Sequence, residues 1–171
     1  ESIRPNFKFY MKKTDVAAII LAAGKGTRMK SDLPKVLHPV CGRPMVLYVL
    51  DLVKKLKAKQ HVVVLGYKAA DVKKVLDPAT RIVIQKRVIG TADAVKQAMP
   101  PLRGFNGTVI ILYGDTPLLK KETIESLVKR HTESKAAATI LTAIMEEPFG
   151  YGRILRDEYS SICGIQEEKD C

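Results

Sequence analysis

Tryptophan is absent from this 171-residue chain, and cysteine occurs three times, at Cys41, Cys163 and Cys171. An odd, widely spaced set without a CxxC pair excludes a zinc knuckle or a disulfide framework and suits a reducing cytosol. Cys41 and Cys163 are expected to be small packing residues. The histidines (His38, His61, His131) share no metal-ligand spacing and read as structural or surface residues. No apolar run approaches the ~20 residues that a membrane span needs. Lys12-Lys13 before Val16–Leu21 imitates a signal peptide, but Gly24-Lys25-Gly26-Thr27-Arg28 intervenes before any cleavage region, so that reading fails. Residues 1–13 read as a tag or loose N-terminus, with Met11 a candidate initiator. Internal repeats and low-complexity linkers are missing too.

Acidic residues are scarce relative to basic ones: 18 Asp+Glu against 29 Lys+Arg, a formal net charge of +11. Nucleic acid, an anionic membrane surface and small polyanionic substrates such as nucleoside triphosphates all suit that sign. The basic residues are scattered, with no dense block interleaved with aromatics, which argues against nucleic acid. Most of the excess reads as a solvated basic surface. Hydrophobic residues at 46% and charged residues at 27% are ordinary for one soluble domain.

Short apolar runs alternate with amphipathic helical stretches, the pattern of an α/β domain with a mostly parallel, mixed sheet and helices on both faces. Strands are predicted at Val16–Leu21, His61–Leu65, Arg81–Ile84, Thr108–Tyr113 and Ala137–Met145. Helices are predicted from Pro44 through Met45–Lys57, at Ala69–Leu76, from Gly90-Thr91 to Met99 with Thr91 as N-cap, and at Lys121–Glu133. After Glu147-Pro148 the segments Arg153–Leu155 and Ile162–Gln166 read as a hairpin appended to the sheet.

Leu21-Ala-Ala-Gly-Lys-Gly-Thr-Arg-Met29 is the most informative string. It sets a glycine-rich turn directly after a buried strand, and Arg28 and Lys35 follow. Free backbone N–H groups after a strand cradle phosphate, and two cations beside them suggest chemistry as well as binding. Gly24 to Thr27 lacks the spacing of a Walker A loop. Met29 stands where a dinucleotide fingerprint needs its third glycine, which argues against a coenzyme-binding dehydrogenase.

The whole string Leu21–Pro44, LAAGKGTRMKSDLPKVLHPVCGRP, resembles the signature of sugar-1-phosphate nucleotidylyltransferases. Its form is that of the bacterial bifunctional N-acetylglucosamine-1-phosphate uridylyltransferase/glucosamine-1-phosphate acetyltransferase family. The resemblance continues through Gln85, Gly90-Thr91, Tyr113-Gly114-Asp115-Thr116-Pro117, Tyr151-Gly152-Arg153 and Glu167, across nearly all of 14–171. It implies a Rossmann-like nucleotidyltransferase domain that moves a uridylyl group from UTP to N-acetylglucosamine-1-phosphate in the cytoplasm. The products are UDP-N-acetylglucosamine, a cell-wall precursor, and pyrophosphate.

The resemblance also implies roles. Lys35 would meet the α-phosphate in the transition state, and Arg28 the β- and γ-phosphates of the leaving pyrophosphate. Leu21, Ala22, Ala23 and Gly24 would line the nucleotide. Lys25 is left between phosphate and solvent. Gln85, with Gly90 and Thr91, would read uracil. Tyr113, Gly114 and Asp115 close the site, and Asp115 would hold Mg²⁺ as a hard oxygen ligand. Gly152 and Glu167 would contact the amino sugar.

Family members carry further on an Asn-bearing sugar segment, a later Asn that completes the Mg²⁺ site, and a hexapeptide-repeat β-helix that acetylates and trimerises. None has a counterpart here, so the expectation is a pyrophosphorylase domain lacking its C-terminal part, with an uncovered sheet edge and a doubtful activity of its own. Transfer to another sugar phosphate or with another base, a nucleotide-binding fragment without turnover, and a basic nucleic-acid-binding domain remain as alternatives.

Overall fold

In the computed structural model, residues 14–87 and 89–168 are described. They divide into two compact units, the first ending at Thr139 and the second starting at Ile140. The first unit holds four parallel strands in the order β5-β4-β1-β6: β1 (Val16–Ala22), β4 (Gln60–Leu65), β5 (Ile82–Ile84) and β6 (Thr108–Tyr113). Helices α1 (Met45–Lys55), α2 (Ala69–Val75), α3 (Thr91–Ala98) and α4 (Lys121–Ser134) connect or follow them. A two-residue hairpin, β2 (Pro39–Val40) with β3 (Arg43–Pro44), precedes α1.

Strand β1 is central because its sequence can be buried on both faces. Ala17, Ala18, Ile19 and Ile20 are fully buried, and successive side chains point to opposite sides of the sheet. Ala18, Ile20 and Ala22 pack with Val46, Val49 and Val53 of α1, Val72 of α2 and Ile124 of α4. Ala17, Ile19 and Leu21 pack on the other face with Ala94 and Ala98 of α3 and with Leu102. Small residues alternating with isoleucine let helices approach both faces, and burial of each isoleucine contributes roughly 1.5–3 kcal/mol. Helices therefore cover both faces, as the sequence predicts, although the main sheet is wholly parallel among the described strands.

Several expectations change. Ala137–Met145 forms no strand. Its apolar residues find no ladder partner among the described residues, and Ile140, Leu141, Ile144 and Met145 are exposed. Pro44 ends β3 and precedes α1 in place of opening it. Gly90, at φ 132°, is the N-cap of α3, and Thr91 is its first helical residue. The left-handed side of backbone space, which favours glycine, is what that entry into the helix requires. Cys41 and Cys163 are exposed free thiols, contrary to the packing role expected. Cys41 sits at φ 48° in the β2–β3 turn, and Cys163 lies on a strand of the two-stranded hairpin of the second unit.

That hairpin, β7 (Arg153–Arg156) with β8 (Ile162–Gln166), is an antiparallel sheet of its own within the second unit. Arg153 Nη1 there pairs with Glu168. The Gly150 backbone N–H, and then the Arg153 guanidinium, hold the Glu168 carboxyl below the usual range. Residues 1–13 and Cys171 lie outside the described residues, so the readings made of them are neither met nor missed.

Candidate functional site

At the carboxyl ends of β1, β5 and β6 the first unit opens into a cleft of about 230 Å³. Ligands settle at this end of parallel sheets because the βα turns converge there. The ladder continues past the strand ends: Gly114 N–H donates to Leu21 O (2.8 Å), Tyr67 N–H to Ala23 O (3.1 Å) and Gln85 N–H to Leu65 O (2.7 Å). These bonds fix the turns that carry the site. Gly66 is needed for it, and Gly114 leaves little room for a side chain. An added Cβ would stand 2.8 Å from Ala23 O at Gly66, and 3.2 Å from Leu21 O and Val36 Cγ1 at Gly114.

The cleft is lined by Leu21, Ala22, Ala23, Gly24, Lys35, Gln85, Gly90, Thr91, Tyr113 and Asp115, ten of the residues singled out from sequence. Gly26, Val36 and Ala94 line it as well. Gly26 belongs to the loop already read as a cradle. Val36 follows Lys35 in the short 3₁₀ turn Lys35–Leu37, where it is buried. Ala94 lies one helical turn beyond Gly90-Thr91, a signal that exists only once the helix phase is known.

Lys35 Nζ stands 2.5 Å from Asp115 Oδ2, a contact between β1's following loop and the turn after β6. The two groups expected to face phosphate and metal thus neutralise one another across the cleft. Gly26, at φ 67°, lets the loop cross Lys35: a Cβ there would lie 2.6 Å from Lys35 Cβ. Arg28 lies in the exposed 3₁₀ turn Thr27–Met29, off the cleft wall and without a hydrogen-bond or ion-pair partner among the described residues. Lys25 Nζ lies over the Tyr67 ring, 5.6 Å from its centroid.

Gln85 is 3% exposed, the one polar side chain among the buried described residues. Its Nε2 donates to Asp93 Oδ2 (2.7 Å) and to Gly90 O (3.1 Å). Both amide hydrogens are committed, and the carbonyl oxygen is what remains for a ligand.

Gly152 and Glu167 belong to the second unit, where they are neighbours: a Cβ on Gly152 would stand 3.8 Å from Glu167 Oε2. Among the described residues no three His, Cys, Asp or Glu side chains gather into a metal-binding group. Asp115 is the one carboxylate among the described residues that line the cleft, a donor set compatible with Mg²⁺, which keeps several waters and shares its remaining positions with substrate phosphates. No described helix is long and apolar enough to cross a membrane.

The "Bifunctional protein GlmU" of Bacillus velezensis is 52% identical over 153 residues, 90% of this chain and 34% of that protein. The protein of the same name from Bacillus subtilis is 51% identical over the same shares. The chain thus spans about a third of the length of these curated relatives. Solved structures below 25% identity share the fold. A Bacillus anthracis protein assigned as a glucose-1-phosphate thymidylyltransferase superposes with a TM-score of 0.68 at 21% identity, covering 90% of this chain and 64% of its own. A Mycobacterium tuberculosis protein solved with manganese has a TM-score of 0.56 at 20% identity, covering 71% and 60%. The sequence pattern of the MobA-like NTP transferase domain matches residues 18–170. This chain belongs to that family of nucleotidyltransferases.

Proposed function

We propose that the cleft takes UTP and that the protein transfers its uridylyl group to N-acetylglucosamine-1-phosphate, releasing pyrophosphate. The observation that carries this reading is the joining of Lys35 and Asp115 at the mouth of a glycine-lined cleft, in a chain about half identical to the two GlmU proteins. The Gly24–Gly26 loop supplies backbone N–H groups to the triphosphate. Lys35, released from Asp115, puts a point charge against the α-phosphate, where negative charge builds as the acceptor phosphate attacks. Arg28 has no competing partner among the described residues and can turn its planar donor fork to the β- and γ-phosphates. Asp115 would hold Mg²⁺, which neutralises phosphate oxygens and orients them. Gln85 accepts from the N3–H of uracil through Oε1, and Gly90 brings backbone close to the base. Gly152 and Glu167 serve the amino sugar.

Positioning and charge account for the chemistry, with no covalent step on the protein. The test is pyrophosphate release from UTP, N-acetylglucosamine-1-phosphate and Mg²⁺, by this chain and by the chain continued to the length of its relatives. Release that requires this acceptor supports the reading. No release from either protein, or equal release with glucose-1-phosphate, overturns the acceptor.

A further inference from the structure

The nearly buried Gln85 amide has two orientations of similar shape, and only one of them leaves an acceptor for a ligand. In the structure that choice is made by Asp93. It stands in the first turn of α3, with Oδ2 2.7 Å from Gln85 Nε2, while Gly90 O takes the second amide hydrogen at 3.1 Å. Gln97, one turn further along α3, reaches back to Asp93 Oδ1 at 3.4 Å. An ionised carboxylate only accepts, and so does a backbone carbonyl. Turning the amide over would set Gln85 Oε1 against both of them with no proton between, an unpaired buried polar contact of the costly kind. Among the described residues nothing donates to Oε1.

We infer that Asp93 is a specificity-determining, positioning residue: it fixes the Gln85 amide with its carbonyl toward the cleft and so selects bases that present an N–H there. The inference rests on the reading of the cleft as a uridine site. Uracil and thymine carry a proton at N3 and donate to that oxygen. Cytosine has a lone pair at N3, which faces the oxygen without a proton. Asp93 touches no nucleotide itself. Its effect is to forbid the amide orientation that would welcome cytosine. Asparagine has nearly the same size but can turn its own amide to donate to Gln85, so only the longer bond to Gly90 O still favours that orientation.

The test is nucleotide binding by this chain in the presence of Mg²⁺, with UTP and CTP measured by calorimetry for wild type, Asp93→Asn, Asp93→Ala and Gln97→Ala. The wild type is expected to prefer UTP. The UTP:CTP affinity ratio should fall about tenfold in both Asp93 variants, the worth of one hydrogen bond made or opposed. It should stay unchanged in Gln97→Ala. A role confined to stabilising the start of α3 would lower the melting temperature of both variants and leave the ratio intact, which overturns the inference. Asp93→Asn keeps shape and packing, so its ratio is readable even where Asp93→Ala folds poorly. A wild type that binds UTP and CTP alike overturns the uridine reading instead. An independent arm needs no nucleotide: the Gln85 side-chain amide should show two distinct, slowly exchanging protons by NMR, lost in Asp93→Ala. A solvent-like amide in the wild type overturns the positioning role.

Discussion

Lys35 and Asp115 each leave the other uncompensated when one is removed, but their expected losses differ. Lys35→Ala should reduce turnover by about 10²–10³-fold while changing UTP affinity far less, because its charge is needed most where charge develops. Asp115→Asn should flatten the dependence of rate on Mg²⁺. Equal losses of turnover and affinity, or an unchanged Mg²⁺ titration, would contradict these roles. The loop glycines separate in the same way. Gly26→Ala forces φ 67° on an L-residue and drives a Cβ into Lys35, at a cost of roughly 1–2 kcal/mol. Gly24→Ala meets nothing within 4 Å. Urea melts should therefore show a loss for Gly26→Ala and none for Gly24→Ala. His61 gives a pH signature. Burial, then Lys54 and Arg81, lowers its pKa from 6.5. The unfolded chain then binds a proton more readily than the folded one, so stability falls as pH drops through 6.5 toward the folded value. His61→Gln should remove that fall below pH 6.5, measured by thermal melting across the acid range. What sequence could show at this scale was local: Gly24, Lys35 and Asp115 stand in short strings whose chemistry is self-contained. Asp93 was hidden, because its meaning depends on the side chain eight residues before it across a turn.

Helix α4 illustrates which interactions hold an element down. Its surface carries the pairs Lys121–Glu125 (3.2 Å) and Lys129–Glu133 (3.9 Å), yet Ile124 is its one fully buried side chain. Ile124→Ala should destabilise by about 2–5 kcal/mol, whereas Lys121→Ala should stay within about 0.5 kcal/mol. Denaturant midpoints would reverse this ranking only if surface charge held α4. The four strands of the parallel sheet were legible because their runs are short and apolar and lead into glycine (Gly24, Gly66, Gly114) or a polar break (Gln85-Lys86). Ala137–Met145 has an equally apolar composition and no ladder. Composition describes what a segment could bury, whereas a strand also needs a neighbour to take its N–H and C=O groups. The outward side of β6 makes the same point, since Ile111 and Tyr113 stay about half exposed beside buried Ile110 and Leu112.

For the whole molecule, the ten sequence-chosen lining residues all come from the first unit, so nucleotide binding should depend on that unit's integrity. Residues 140–149 hold no helix or strand and present Ile140, Leu141, Ile144 and Phe149 to solvent. Thermolysin, which cuts beside exposed apolar residues, should cleave there first. Mass spectrometry would locate the nick, and the cleaved protein should keep its UTP affinity. A first cut inside β1–α4 would overturn this order. The division at Thr139 had no compositional marker, since no linker-like stretch interrupts the sequence. Parallel strands also give the first unit a direction. The cleft occupies the carboxyl ends, while the turns leading into β4, β5 and β6 collect at the amino ends, where Lys59 meets Asp15 at 2.6 Å and Arg81 meets Pro101 O at 2.8 Å. Among the described residues, none of those turns supplies a residue that lines the cleft. Evolution, or an engineer, can therefore lengthen the Asp77–Thr80 turn or graft a label onto it while the opposite rim stays bound by its ligand.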